Sequence, residues 1–147
     1  MRNKILFIAL TFFLSPGCSS TKIVSYKIFD KNEKKVTYQI RIPKGFTTTE
    51  TVYESERFKV FLYPDSSKLF FSNKVALYAF YPDAYKKYGK DLNLKLLSAD
   101  TLTINGVDES GRIWKDRKAT NVVYGYIQVP PEKKGIFDSI INRVIIK

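Results

Sequence analysis

One thiol stands apart chemically in this chain of 147 residues: Cys18, the single cysteine. There is no histidine, which removes the usual general base at neutral pH and the commonest transition-metal ligand. A lone cysteine makes neither an internal disulfide nor a thiolate zinc cluster. Ser-Lys chemistry needs no histidine, but Ser66-Ser67-Lys68 and Ser98 do not have a Ser-x-x-Lys spacing. Phosphate-binding glycine loops and the G-x-S-x-G elbow do not occur. Asp108-Glu109-Ser110-Gly111, with Asp116 beyond, is acidic but lacks the alternating oxygen ligands of a twelve-residue calcium loop. It reads as a solvated hairpin turn. The expectation is therefore a protein that is not an enzyme, with no metal and no cofactor.

The surroundings of Cys18 suggest another use for its sulfur. Arg2 and Lys4 lead an apolar run from Ile5 to Leu14, and Ser15-Pro16-Gly17 brings small or bent residues up to the cysteine. Positive start, short apolar core and small-residue end make the layout of an export signal. A span of about 30 Å of hydrocarbon needs roughly 20 apolar residues, so this run is too short to cross. Two alternatives stay open: a buried N-terminal strand or helix, and secretory cleavage beside Ser15 and Gly17 that releases a soluble protein. The segment resembles a bacterial lipoprotein signal. That resemblance implies removal of residues 1–17 and attachment of diacylglycerol and fatty acid (palmitate or similar) at Cys18. A free thiol in an oxidising envelope is a liability that such a thioether would remove. One acyl chain holds only marginally, at about 0.8 kcal/mol per buried methylene, so two or three are needed for stable anchoring. Ser19 follows the cysteine. By resemblance to enterobacterial sorting, this implies the outer membrane, facing the periplasm.

Without Arg2 and Lys4 the net charge falls from +11 to +9. A basic balance suits acidic partners: anionic lipid headgroups, lipopolysaccharide phosphates or an acidic envelope protein. Export argues against nucleic acid. Dispersed lysines can also serve solubility alone. The chain beyond the signal has about 130 residues, enough for one domain with a core. We expect a short tether at 18–22 and a single domain at 23–147. An extended residue spans at most about 3.6 Å, so the domain would sit within roughly 15 Å of its membrane.

The elements follow from periodicity. Ile23–Phe29 reads as a strand and Asp30–Glu33 as a turn. Val36, Tyr38, Ile40 and Ile42 alternate with polar residues, which predicts a half-buried strand paired with the first. Thr47–Thr51 is a loop or a strand edge. Further strands are expected at Arg57–Tyr63, Leu69–Phe71, Val75–Tyr81, Thr101–Ile104 and Arg112–Arg117. Asp83 could cap a short helix through Gly89, and Leu92–Leu97 is ambiguous between helix and strand. Asn105-Gly106 and Asp108–Gly111 have turn chemistry. Asn121–Val129 points apolar side chains both ways, so it is expected to be central and covered on both faces. After Pro130-Pro131, residues Ile136, Phe137, Ile140, Ile141 and Val144 recur at helical spacing. They predict an amphipathic helix of about 13 residues, docked on the sheet.

The fold class expected is α+β: a mostly antiparallel sheet with a C-terminal amphipathic helix packed on it, in a single domain. An early hairpin, the step Ile42-Pro43-Lys44-Gly45-Phe46, several middle strands and a closing helix resemble the PsbP/DcrB-like α/β sandwich. The resemblance implies a non-enzymatic envelope or assembly role. Trp114 between Arg112 and Lys115 could stack a ring or sugar, but a core position is the ordinary place for it. Tyr81, Tyr85 and Tyr88, with Lys86 and Lys87, are the candidate binding patch. A lipid-anchored envelope protein of binding or assembly role is thus expected, with a small-ligand (lipid or sugar) carrier as the alternative. On this reading Cys18→Ala moves the protein from the membrane to the soluble fraction; a variant that still pellets with membranes contradicts it.

Overall fold

A computed structural model of the chain describes residues 20–29, 34–73, 84, 87–89 and 91–147. Among these residues the strands are β1 Thr21–Phe29, β2 Lys35–Pro43, β3 Thr47–Tyr53, β4 Glu56–Leu62, β5 Lys68–Ser72, β6 Thr101–Val107, β7 Ile113–Ala119, β8 Val122–Val129 and β9 Ile145–Ile146. Helix α1 is Leu92–Ser98, and a 3-10 turn at Pro131–Lys133 leads into helix α2, Lys134–Ile141. The strands form a three-stranded sheet, β1-β2-β9, and a six-stranded sheet, β3-β4-β5-β8-β7-β6. All strand pairs are antiparallel. The mainly-β, α+β architecture is the one the periodicity predicts.

Side-chain alternation explains how the two sheets stack. Tyr26 faces Tyr38 in the β1–β2 hairpin. Val24, Tyr26, Ile28, Tyr38, Ile40 and Ile42 are all buried, on the face where period two places them. They meet Phe61, Leu69, Phe71, Val122, Tyr124, Tyr126 and Val129 of the larger sheet in one core, which Phe137, Ile140 and Ile141 of α2 complete. Burying each such side chain contributes about 1.5–3 kcal/mol. Tyr26 stacks on Phe71 at 5.4 Å between ring centroids, and Phe71 stacks on Tyr124 at 5.8 Å.

Buried tyrosine hydroxyls need partners. Tyr26 donates across the layers to the Arg57 carbonyl at 2.7 Å, and Tyr38 to the Ala119 carbonyl at 3.1 Å. Tyr63 donates to the Pro43 carbonyl at 3.1 Å. The same rings that fill the core therefore fix one sheet against the other. Phe46, of the Ile42–Phe46 step, packs edge-on against Phe61 and Tyr63.

The opposite face of the larger sheet carries a second, smaller core. Leu92 and Leu96 of α1, four residues apart, bury against Ile104 and Trp114, with Ala84. This spacing resolves the ambiguous Leu92–Leu97 segment as helix. Lys118, only 7 % exposed, donates its ammonium to the Leu96 carbonyl and to the Leu97 carbonyl at 3.4 Å. A cation at the last carbonyls of a helix matches its dipole.

Several sequence expectations are corrected. Asn105-Gly106 is not a turn; it lies within β6, opposite Trp114. The turn is at Asp108–Gly111, where the Asp108 carboxylate accepts from the Ser110 and Arg112 backbone N–H groups at 3.0 and 2.9 Å. α2 ends at Ile141, so Val144 and Lys147 lie beyond it, and the chain instead adds β9 to β2. β1 begins at Thr21, and Ser20 already accepts from the Lys44 N–H at 2.9 Å. The anticipated turn at 30–33 and strand at 75–81 lie outside the described residues.

Asp138 fastens α2 to the sheet. Its carboxylate accepts from Lys115 at 2.8 Å, Lys134 at 2.5 Å and the Tyr126 hydroxyl at 3.0 Å. Burial alone would raise its pKa, but these donors outweigh it and hold the carboxyl below its ordinary value. Asp65, paired with Lys133 at 2.5 Å, behaves alike: burial opposes, yet Lys133 and Ser67 lower it to about 2. A depressed folded pKa stabilises fully above the unfolded value and is lost as pH falls through the folded one. Chemical denaturation should thus show stability falling as pH drops from about 4 to about 2. Asp138→Asn should cost roughly 1–2 kcal/mol at neutral pH and flatten that acid limb. An unchanged acid limb in this variant contradicts the role given to Asp138.

Candidate functional site

Among the described residues the smaller sheet and α2 pack on one face of the larger sheet, and α1 packs against β6 and β7 on the other. On that second face Phe58, Val60 and Leu62 of β4 alternate beside Phe70 of β5 and Ile127 of β8. With Thr49, Lys68, Asp108, Trp114 and Gln128 they line a groove of about 370 Å³. The walls are aromatic and aliphatic, and the polar groups sit at the β3, β5 and β6–β7 margins. This is the composition of a small-molecule or peptide site: apolar walls with a few polar groups to orient the occupant.

Its shape comes from a bulge. β7 and β8 pair Ile113 with Val129 but Lys115 with Tyr126, so β8 carries one extra residue there. Gln128 takes up the irregularity with a φ of 55°. Tyr126 and Val129 consequently both remain in the inter-sheet core, while Ile127 and Gln128 reach the groove. Arg112 holds the bulge, donating from Nε to the Gln128 carbonyl and from Nη2 to the Asp65 carbonyl, each at 2.6 Å. At the groove margin, burial would raise the Asp108 pKa, but bonds from Ser110 and Arg112 keep it below the ordinary value. An ionised carboxylate and the Lys68 ammonium therefore flank an apolar wall.

Two glycines make this arrangement possible. A Cβ on Gly106 would lie 2.5 Å from Trp114 Cζ2, so only glycine lets the indole lie across β6. A Cβ on Gly125 would lie 2.0 Å from the Lys115 carbonyl oxygen, in the backbone of β7. Trp114 is 2 % exposed and belongs to the smaller core. It is a packed residue whose ring also forms part of the groove wall.

The residues singled out from sequence fall elsewhere. Cys18, Tyr81, Tyr85 and Lys86 lie outside the described residues. Lys87 and Tyr88 are brought together, the ammonium 5.2 Å from the ring centroid. Both are tied to β6: Lys87 donates to the Asn105 carbonyl at 2.8 Å, and Tyr88 donates to the same carbonyl at 2.9 Å while accepting from the Asn105 N–H. These contacts fix the segment to the sheet edge. The groove residues were missed because Phe58, Val60 and Leu62 alternate with Phe61 in a strand apolar on both sides. The available signal was that two-sided pattern in β4 beside the polar strand β3. Among the described residues no group of three or more acidic, cysteine or histidine side chains could hold a metal ion.

No protein-family model, curated protein or solved structure matches the chain.

Gly106→Ala should destabilise the fold by about 1–3 kcal/mol through overpacking against Trp114 and shift the emission of this sole tryptophan. Gly135→Ala, where a Cβ meets nothing within 4 Å, serves as the control. Equal unfolding midpoints for the two variants contradict the packing assigned to Trp114.

Proposed function

We propose that this chain is a lipid-anchored protein of the bacterial cell envelope, held through Cys18 at the outer membrane and facing the periplasm, with a non-enzymatic binding or assembly role. The anchor rests on the ordered series of Arg2 and Lys4, the Ile5–Leu14 run and Cys18. The observation that carries the binding role is the apolar groove of about 370 Å³ over β4, β5 and β8. An apolar concavity with a few polar groups around it is the usual form of a binding site, and here Phe58, Val60 and Ile127 line it half-buried while Leu62 is exposed. In this reading α2 is the amphipathic closing helix, and the domain after the tether works as one unit. An envelope protein is the partner proposed for the groove.

A second reading, a carrier of a small lipid or sugar, draws on the same groove. Its volume falls in the roughly 300–1,000 Å³ range of small-ligand sites. One pair of measurements separates the two. A photoreactive side chain at Leu62, on the rim, should crosslink a polypeptide in intact cells if the role is assembly. Organic extraction of the purified protein should yield a near-stoichiometric apolar molecule if the role is carriage. Val60→Asp, which puts a charge on the groove wall, should abolish either result. A folded Val60→Asp variant that keeps its crosslink or its extractable ligand excludes the groove as the binding site.

A further inference from the structure

We propose that a second concavity, between β2 and α2, is a membrane-contact surface that takes the headgroup layer of a bilayer rich in anionic lipid. The proposal rests on the anchor at Cys18 and adds to it the face that meets the membrane. The concavity measures about 670 Å³. Three isoleucines from separate elements converge there: Ile23 of β1, Ile136 of α2 and Ile145 of β9. They are 55 %, 54 % and 56 % exposed, a large share for a β-branched hydrophobe. Arg41 and Arg143 are the charged residues of the lining, and among the described residues no carboxylate joins them. The aromatic groove differs in this respect, because Asp108 stands at its margin.

Charge and geometry select the occupant. Exposed isoleucines beside arginines and without acids match the boundary between headgroups and acyl chains, where apolar side chains enter and cations meet phosphates. Guanidinium forks suit phosphate oxygens in particular. Among the described residues Arg41 donates one side-chain bond, to Thr21 Oγ1 at 3.4 Å. Thr21 itself lines the concavity and lies three residues after Cys18. At about 3.6 Å per extended residue, the Cys18 backbone stays within roughly 11 Å of Thr21. Exposed Lys22 and Lys44 flank the same end, where Lys44 binds Ser20.

The test reads depth. An environment-sensitive fluorophore is placed at Ile136→Cys and, as a control, at Val107→Cys on the other sheet. Each full chain is purified from its native fraction and added to phosphatidylcholine vesicles with and without phosphatidylglycerol. Shallow nitroxide lipids should quench the label at 136 and not at 107, with loss of quenching in high salt and in the Arg41→Glu/Arg143→Glu variant. Equal quenching at both positions, or quenching untouched by the glutamates, overturns the proposal. A chain that fails to sediment with vesicles tells against the anchor; salt-sensitive quenching at 136 in that chain still supports the surface, and its absence overturns it. A blue shift at 136 that follows protein concentration rather than lipid assigns the concavity to a second copy and also overturns it.

Discussion

Strand β8 bears apolar side chains on both faces, and the rest of the fold follows from having to cover each of them. Val122, Tyr124, Tyr126 and Val129 belong to the inter-sheet core, and Val123 to the opposite side. Solvating either face would forfeit about 25 cal/mol for each Å² of apolar surface left in water. The smaller sheet and α2 close the first face. Their closure brings polar tyrosine tips inside, and the tips are satisfied by carbonyls of the opposing layer. An unsatisfied buried hydroxyl would cost about 1–3 kcal/mol, so this pairing fixes the relative position of the sheets as well as their separation.

Among the described residues the second face carries two separate clusters. α1 covers β6 and β7 through Leu92, Leu96 and the Lys118 ammonium at its C-terminal carbonyls. Over β4, β5 and β8, Phe70 and Val123 are buried with Phe58, Val60 and Ile127 packed against them, and the aromatic groove runs along this cluster. The β8 bulge lies beside the groove and lets one strand supply the inter-sheet core and the groove wall with consecutive residues. Bulges are enriched where a side chain must be re-aimed, and Ile127 with Gln128 is such a place.

Local pattern revealed the elements that depend on local pattern. The β1–β2 hairpin was visible because its buried face is an unbroken alternation, and β8 because apolar residues crowd both sides. The Asp108–Gly111 turn was visible through side-chain bonds to its own backbone. Asn105-Gly106 misled because the need for glycine comes from Trp114 across the ladder, not from its neighbours. β9 is two residues long and exists only through its register with Tyr38 and Gln39. Lys118 is buried through its bonds to the α1 carbonyls, a contact between distant segments that no local pattern announces. Which face of β4 stays open is a property of strand order, which periodicity does not encode. For that reason the groove escaped the sequence.

The proposed anchor at Cys18 stands very close in the chain to the domain. Among the described residues backbone pairing begins at Ser20, two residues after Cys18. A lipid on that sulfur would hold the Ile23–Ile136–Ile145 surface against the bilayer. The most direct measurement is the intact mass of the mature N-terminal peptide from native membranes. The expected result is a chain beginning at Cys18 and heavier than its residues by a diacylglycerol with or without a further fatty acid. A mature chain that starts elsewhere, or one that begins at Cys18 with an unmodified thiol, contradicts the account.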